Sequence, residues 1–432
     1  MGCLFSIVRA VASLILGVVV FVGFLFLLIL NNFSDKLLSA DFYKDTISGQ
    51  DAYNRIYDEV LVDKELSDKT AEILGDIKVV THQDIVDLTR KIIPPAYIQT
   101  QVEGAIDRTV DYMNEDEERL ELYVDLIPPL ENVKTVMFSY MDSLLDALEE
   151  ENPGAVSCSV QGVTGLGNQY VEKFEGIANG EVPTAILSLQ ALDPLCRQLL
   201  FTTVFDLLLV TDQISPEVAQ GFVDNREELR EPFTSGDTKG VLKIAARSLA
   251  GPLMDEAIDK VREDLTADGR LDLIKQLADW DNDITEAELR SNLDDGRDWV
   301  SKAREFGDLT TMLMVIGGSV LIGLVHFPHL SSMLRWPGMV LLFTGVFFFV
   351  VGKIAESEVP DRLTSVIETG ADQATNVPPA VTDLGGDILV SFGTQMTDGF
   401  TGPSLSLLIL GAILFGSSFF VWPIKRFIPL VK

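Results

Sequence analysis

Four stretches of this chain are almost uninterruptedly apolar, and between them apolar residues recur at helical spacing among many charges. Residues 7–30 carry a single charge, Arg9, near their start. A helix of that length spans about 36 Å, enough to cross a hydrocarbon core of about 30 Å with some tilt. Residues 309–327 are uncharged throughout, and 337–353 are uncharged as far as Gly352. Trp336 and the Lys353 stem extend that third segment by snorkelling. Residues 403–422 form the fourth, with Trp422 and then Lys425-Arg426 behind it. The pattern predicts four transmembrane helices. The first is expected to be an uncleaved anchor, because its apolar part exceeds a signal-peptide core and no A-x-A site follows.

Elsewhere the period is that of amphipathic helices. Pro95 suits a first helical position, and Ile98, Val102, Ile106, Val110 and Met113 form one stripe behind it. Leu130, Val133, Met137, Met141, Leu144 and Leu148 form a second, ended by Asn152-Pro153-Gly154. Leu253, Ala257, Ile258, Val261 and Leu265 form a third, and Ser215-Pro216 resembles a helix start. Thr285 with Glu288 reads as a capping box. Leu199–Val210 reads as a buried core helix, too short to span and interrupted by Asp206. Arg119–Leu126 alternates as a short strand does, which predicts a small sheet around 119–165. Within 354–402, Val359–Ala374 reads as helix and the Gly-, Thr-, Asp- and Pro-rich remainder as loop packed on the large domain.

Charge supplies the orientation. The chain has 432 residues and a formal net charge of −32, yet 47% of it is hydrophobic. The two properties are segregated. Of the 65 acidic residues, 57 lie in 31–308 and the other eight in 354–402. The remaining connections hold Arg9, Arg335, Lys425, Arg426 and Lys432 and no carboxylate. Lys/Arg bias beside spans marks the cytoplasmic side. The expected layout is therefore a cytoplasmic N-terminus (1–6), a span (7–30), a large acidic exoplasmic domain (31–308) and a second span (309–327). A cytoplasmic loop (328–336), a third span (337–353), a second exoplasmic connection (354–402), a fourth span (403–422) and a cytoplasmic C-terminus (423–432) follow. The fold class expected is a multi-pass α-helical protein of the cell (plasma) membrane, with four transmembrane helices and a mainly α-helical, minor-β exoplasmic domain. An acidic surface repels phosphates, so nucleic acid is not an expected partner.

Candidate chemistry is sparse. The spans lack mid-membrane charges of the kind ion pathways use. They carry small residues instead. Gly338, Gly345 and Gly352 recur every seven residues, and Ser13/Gly17, Ser319/Gly323 and Ala412/Gly416 are small-xxx-small pairs. Such residues let helix backbones approach closely, within one bundle or between protomers. His326 and His329 flank Pro328 and read as interfacial turn residues, and His82 as a surface residue. Gly162, Gly165 and Gly167 miss the dinucleotide-binding spacing and read as loop glycines. Asp279, Asp281 and Asp283 occupy positions 1, 3 and 5 of an EF-hand-like loop, which makes Ca²⁺ the one cofactor suggested. Ile284 and Arg290 replace its Gly and final Glu, so the plain alternative is a solvated acidic turn. Met1–Ser6 matches a myristoylation pattern with Cys3 beside it, but the following span makes a lipid anchor redundant. Asn32-Phe33-Ser34 is a glycosylation sequon close to the bilayer. Cys158 and Cys196 are the two cysteines of the exoplasmic region, an oxidising compartment, and are expected to form a structural disulfide.

These features suggest a non-catalytic membrane protein that uses its acidic domain for partner binding or self-assembly. The partners expected are the lipid bilayer, other membrane or surface proteins, and copies of the chain. A subunit of an oligomeric transporter or channel, and an exoplasmic carboxylate- or calcium-dependent enzyme, are the alternatives.

Overall fold

The computed structural model describes residues 2–32, 36–74, 80–154, 158–178, 185–208, 220–221, 223–263, 265–280, 284–327, 329–373 and 378–424. In chain order the elements begin with α1 (Gly2–Asn32), α2 (Ala40–Gly49), α3 (Ala52–Arg55), α4 (Lys64–Leu74), α5 (His82–Ile92) and α6 (Pro95–Met113). Then come β1 (Tyr123–Asp125), α7 (Ile127–Asp146), β2 (Glu149–Glu151), α8 (Val160–Ala178), β3 (Ala185–Leu187) and α9 (Pro194–Leu208). They are followed by α10 (Arg226–Ser235), α11 (Thr238–Glu263), β4 (Arg270–Asp272), α12 (Leu273–Trp280) and α13 (Glu286–Met312). A π-helical turn, Leu313–Gly317, leads into α14 (Gly318–Val325), and α15 (Leu330–Gln373) and α16 (Pro379–Ile424) complete the chain. Three of these helices contain stretches long and apolar enough to cross a membrane: Arg9–Leu30, Leu330–Ile367 and Pro379–Phe419. Leu309–Val325 is a shorter apolar helical stretch of the same character.

The chain divides into two compact units. The first takes residues 1–56, 99–122 and 273–432, the second 57–98 and 123–272. The first unit thus joins the apolar helices to parts of the acidic 31–308 segment. Its apolar core contains Val20, Phe24 and Leu28 of α1, Ile322 of α14, Leu341 and Phe348 of α15, and Leu407 of α16. Phe24 and Phe348 place their ring centroids 5.7 Å apart across α1 and α15.

α15 has 44 residues and α16 has 46. At 1.5 Å per residue each is nearly 70 Å long, about twice a hydrocarbon core. They lie side by side and antiparallel, at a constant register. A Cβ on Gly338 would come within 2.5 Å of the Phe415 amide nitrogen, and one on Gly345 within 2.5 Å of that of Leu408. A Cβ on Gly352 would come within 3.0 Å of the Thr401 side-chain methyl, and from the other side Gly411 meets the Leu342 backbone. Further out, Gly393 abuts Leu363 and Gly386 abuts Ile367. This corrects the expectation of a loop over most of 354–402. Helix resumes at Pro379, and Gly386, Gly393 and Gly399 there serve close packing between helices, not turns. α15 likewise begins at Leu330 and runs through Pro337, so 330–336 is helical and not loop. A proline inside such a helix is tolerated where neighbouring helices satisfy the freed groups.

Toward the connecting end of this hairpin α2 lies against α16. Phe392 packs on Phe42 and Tyr43, with centroids 5.2 and 5.5 Å away. Gln395 donates to Thr46 Oγ1 at 2.6 Å, and Arg55 pairs with Asp387 at 2.9 Å. The second connection therefore does pack on the 31–308 segment, as helix.

The second unit is a helical domain around α8, α9, α10 and α11. Leu200, Phe201, Val204 and Phe205 bury one side of α9 against Val163, Leu166, Phe233 and Leu242. The apolar 199–208 stretch is thus a core helix, while residues 209–219, with the Ser215-Pro216 pair, lie outside the described residues. Gly162, Gly165 and Gly167 belong to α8 and not to a loop. Gly167 has a packing reason, because a Cβ there would meet Thr203 and Leu207 of α9 at 3.2–3.3 Å. The second stripe follows α7 only to Asp146; Asn152-Pro153-Gly154 comes after β2. The third stripe is on α11, where Ile258 is buried but Val261 is exposed. β1 pairs antiparallel with β4, and β2 pairs parallel with β3. Both partners lie beyond 119–165, since a ladder's second strand is set by tertiary contact and not by local pattern.

The hairpin yields a contrast between two glycines. Gly345→Leu should destabilise the protein in detergent by about 1–3 kcal/mol, because backbone stands where the new side chain must go. Gly416→Ala, with nothing within 4 Å, should cause no loss and should raise stability by up to about 1 kcal/mol through helix propensity.

Candidate functional site

The residues singled out by pattern fall into several places. Gly338, Gly345 and Gly352 face α16 of the same chain, as described above. Gly323 approaches the Met333 carbonyl at the α14–α15 corner, and Ser319 donates back to Val315 at 2.6 Å. Gly17 meets Val340. Ala412 is exposed and a Cβ on Gly416 would meet nothing within 4 Å, so that pair marks no close helix approach among the described residues. Three small residues of α16 do face the helix pair at seven-residue spacing: Ser404, Gly411 and Ser418. Their signal was the same spacing that marked Gly338, Gly345 and Gly352. They escaped notice because serine alternates with glycine.

Asp279 lies near the end of α12, whereas Asp281 and Asp283 are outside the described residues. The helix after them opens with the expected capping box. Thr285 accepts from the Glu288 amide, and the Glu288 carboxylate accepts from the Thr285 amide at 3.0 Å. These bonds to the ionised form hold the Glu288 carboxyl below the usual carboxylate range. Arg290 is paired with Glu286 at 2.8 Å. Among the described residues no three His, Cys, Asp or Glu side chains are grouped to hold a metal ion.

The histidines are tied into the fold. His82 is half-buried and donates to the Leu61 carbonyl at 2.6 Å, so it is not simply a surface residue. His326 is buried, donates to the Ile322 carbonyl at 3.0 Å and stacks on Trp336. Asn32 of the sequon is buried against Gly399, and Phe33 and Ser34 are outside the described residues.

Cys158 and Cys196 form a disulfide, with Cα atoms 5.2 Å apart. Cys196 is buried at the start of α9, and Cys158 is exposed two residues before α8. The bridge ties the starts of two core helices together. It does not tether a glycine loop.

In the first unit, Tyr112 forms a polar clamp that no sequence motif announces. It is buried near the end of α6 and donates to Asp294 of α13. The Arg297 guanidinium stands 4.7 Å from its ring centroid and donates to the Glu118 carbonyl at 3.3 Å. Burial and the Asp294 carboxylate push the Tyr112 phenol up to about 12. A phenol held neutral that far above physiological pH is a structural donor, not a general base. Tyr140 in the second unit is pushed up to about 12 by burial and by Asp84.

No known protein family, curated protein or solved structure matches this chain.

Two outcomes follow. Reducing the Cys158–Cys196 bridge, with its sequence separation of 38, should lower stability by up to about 4 kcal/mol in denaturant titrations with and without reductant. For Tyr112 the folded state favours the neutral phenol over the unfolded value of 10.0. Its contribution is complete below pH 10 and fades as pH climbs toward about 12. Tyr112→Phe should cost about 1 kcal/mol near neutral pH, and its deficit should shrink across that window in melting experiments.

Proposed function

We propose that this is a four-span membrane protein with both termini cytoplasmic, whose acidic exoplasmic region binds another membrane or surface protein or a further copy of the chain. The observation that carries the reading is the segregation of charge. Every carboxylate lies in 31–308 or 354–402, and the acid-free segments hold basic residues only. The apolar Leu309–Val325 stretch supports the fourth span. It packs along α1, where a Cβ on Gly23 would come within 2.5 Å of Met314 Cβ and one on Gly318 within 2.7 Å of Val20. In this reading the polar parts of α13, α15 and α16 carry the helical fold outward from the bilayer, and the 57 carboxylates of 31–308 give a strongly negative surface. Such a surface favours partners with basic faces and speeds their encounter at low salt.

Topology and association are tested together in intact cells. Single cysteines placed beyond Lys425 should resist membrane-impermeant maleimide, and cysteines near Asp372 should react. Reaction at the C-terminus from outside defeats the orientation. An impermeant amine cross-linker acting through lysines such as Lys64 and Lys302 should give discrete adducts that weaken at high salt. A chain that stays free of adducts defeats the binding role.

A further inference from the structure

A cavity of about 350 Å³ opens where the end of α6 meets α13. Met113, Asn114 and Glu115 line one side, and Val300, Ser301 and Arg304 line the other. All six belong to the first unit. The wall carries charge of both signs, because the exposed Glu115 and Arg304 share the cavity without pairing with each other. Arg304 donates instead to the Asn114 side-chain oxygen at 3.3 Å, and Asn114 donates onward to the Leu38 carbonyl at 3.0 Å.

Glu115 occupies a position that suits glycine. α6 ends in a Schellman motif: the Glu115 amide donates to the Tyr112 carbonyl at 3.2 Å, and the Asp116 amide to the Asp111 carbonyl at 2.9 Å. The residue just past such a helix end is left-handed, and Glu115 has φ +68°. Glycine adopts that conformation without a Cβ penalty, and glutamate does not. Among the described residues the Glu115 carboxylate has no ion pair that would offset the strain. Strain kept at the edge of a cavity argues for a side chain with a use there.

The cavity also has a definite level. Gly307, three residues after Arg304, abuts Leu30 at the end of the α1 apolar stretch. Leu309 begins the next apolar stretch five residues after Arg304. Arg304 thus stands about 7.5 Å outside the apolar stretch, at the depth of a headgroup layer of roughly 5–7.5 Å. An anion alone would meet a rim that already holds the exposed Glu115, Asp116 and Glu117. A quaternary ammonium offers the carboxylate no N–H donor and is held by aromatic faces, which the six lining residues lack. A primary ammonium joined to a phosphate suits both sides. Its N–H groups donate to the carboxylate, and its phosphate accepts from the guanidinium and the Ser301 hydroxyl.

We infer that this cavity holds the headgroup of one phosphatidylethanolamine-type lipid, its phosphate on Arg304 and Ser301 and its ammonium on Glu115. The acyl chains then lie at the level of Leu309 and Met312, both exposed. The inference rests on the membrane reading of α1 and Leu309–Val325 but not on the orientation or the partner-binding role, so lipid retention fails independently of the labelling and cross-linking above.

The full-length protein is reconstituted in nanodiscs with equal amounts of phosphatidylethanolamine, phosphatidylcholine and phosphatidylglycerol, returned to mild detergent and examined by native mass spectrometry. Phosphatidylethanolamine should be retained about tenfold over either competitor. Glu115→Gly should abolish that preference while raising the melting temperature, because glycine relieves the left-handed strain. A purely structural Glu115 would leave the preference intact. Arg304→Gln should reduce phosphatidylethanolamine retention about tenfold, while Lys302→Gln, elsewhere on α13, keeps it. The Glu115→Gly arm decides if Arg304→Gln fails to fold. Equal retention of the three lipids, a preference that survives Glu115→Gly, unchanged retention in folded Arg304→Gln, no retained lipid, or binding of water-soluble glycerophosphoethanolamine in place of lipid would overturn the assignment.

Discussion

Two helices of some 45 residues can remain in contact from end to end only if their backbones approach closely over the whole length, and this approach underlies the first unit. In hydrocarbon no hydrophobic force drives helices together, so contact relies on van der Waals packing at short range. Small residues at seven-residue intervals keep one face free of side chains. Gly338, Gly345 and Gly352 do this on α15, and Ser404, Gly411 and Ser418 on α16. A repeat of seven matches the 3.5-residue period at which paired helices keep the same seam facing each other. The pairing continues beyond any bilayer thickness through Gly386 and Gly393, where Ile367 and Leu363 fill the space.

Where the packed surfaces carry polar residues, other forces take over. α2 is held on α16 by aromatic rings, a half-buried amide–hydroxyl bond and an ion pair. Tyr112, Asp294 and Arg297 hold α6 to α13, and Lys44 pairs with Asp107 between α2 and α6. Exposed ion pairs of this kind each contribute little. The buried phenol and the apolar contacts beneath it, Leu120 and Ile274 among them, contribute more. The second unit relies on a conventional apolar core, supplemented by a disulfide between the starts of α8 and α9.

The apolar runs, the capping box at Thr285, the helix start at Pro95, the core helix after residue 199 and the pairing of two cysteines were all legible in the chain, because each depends on local composition, spacing or elimination. The helix over 379–402 was not. Glycine is ambiguous in one dimension: it permits a turn or it permits a neighbour, and only the neighbour's position distinguishes the two. Gly167 of α8 is a further case, since Thr203 and Leu207 of α9 stand where its Cβ would be. The strand partners Ala185–Leu187 and Arg270–Asp272 are short, and their pairing depends on contacts distant in sequence.

By itself the sequence determined where charge and apolar surface lie, because bilayer and water partition residues by composition alone. Tertiary structure decided how the chain divides into units, which small residues face a neighbour, and that Tyr112 meets Asp294 across 182 positions. It also decided that Glu115 and Arg304 share a cavity, since residues 189 positions apart become neighbours only when α6 and α13 pack.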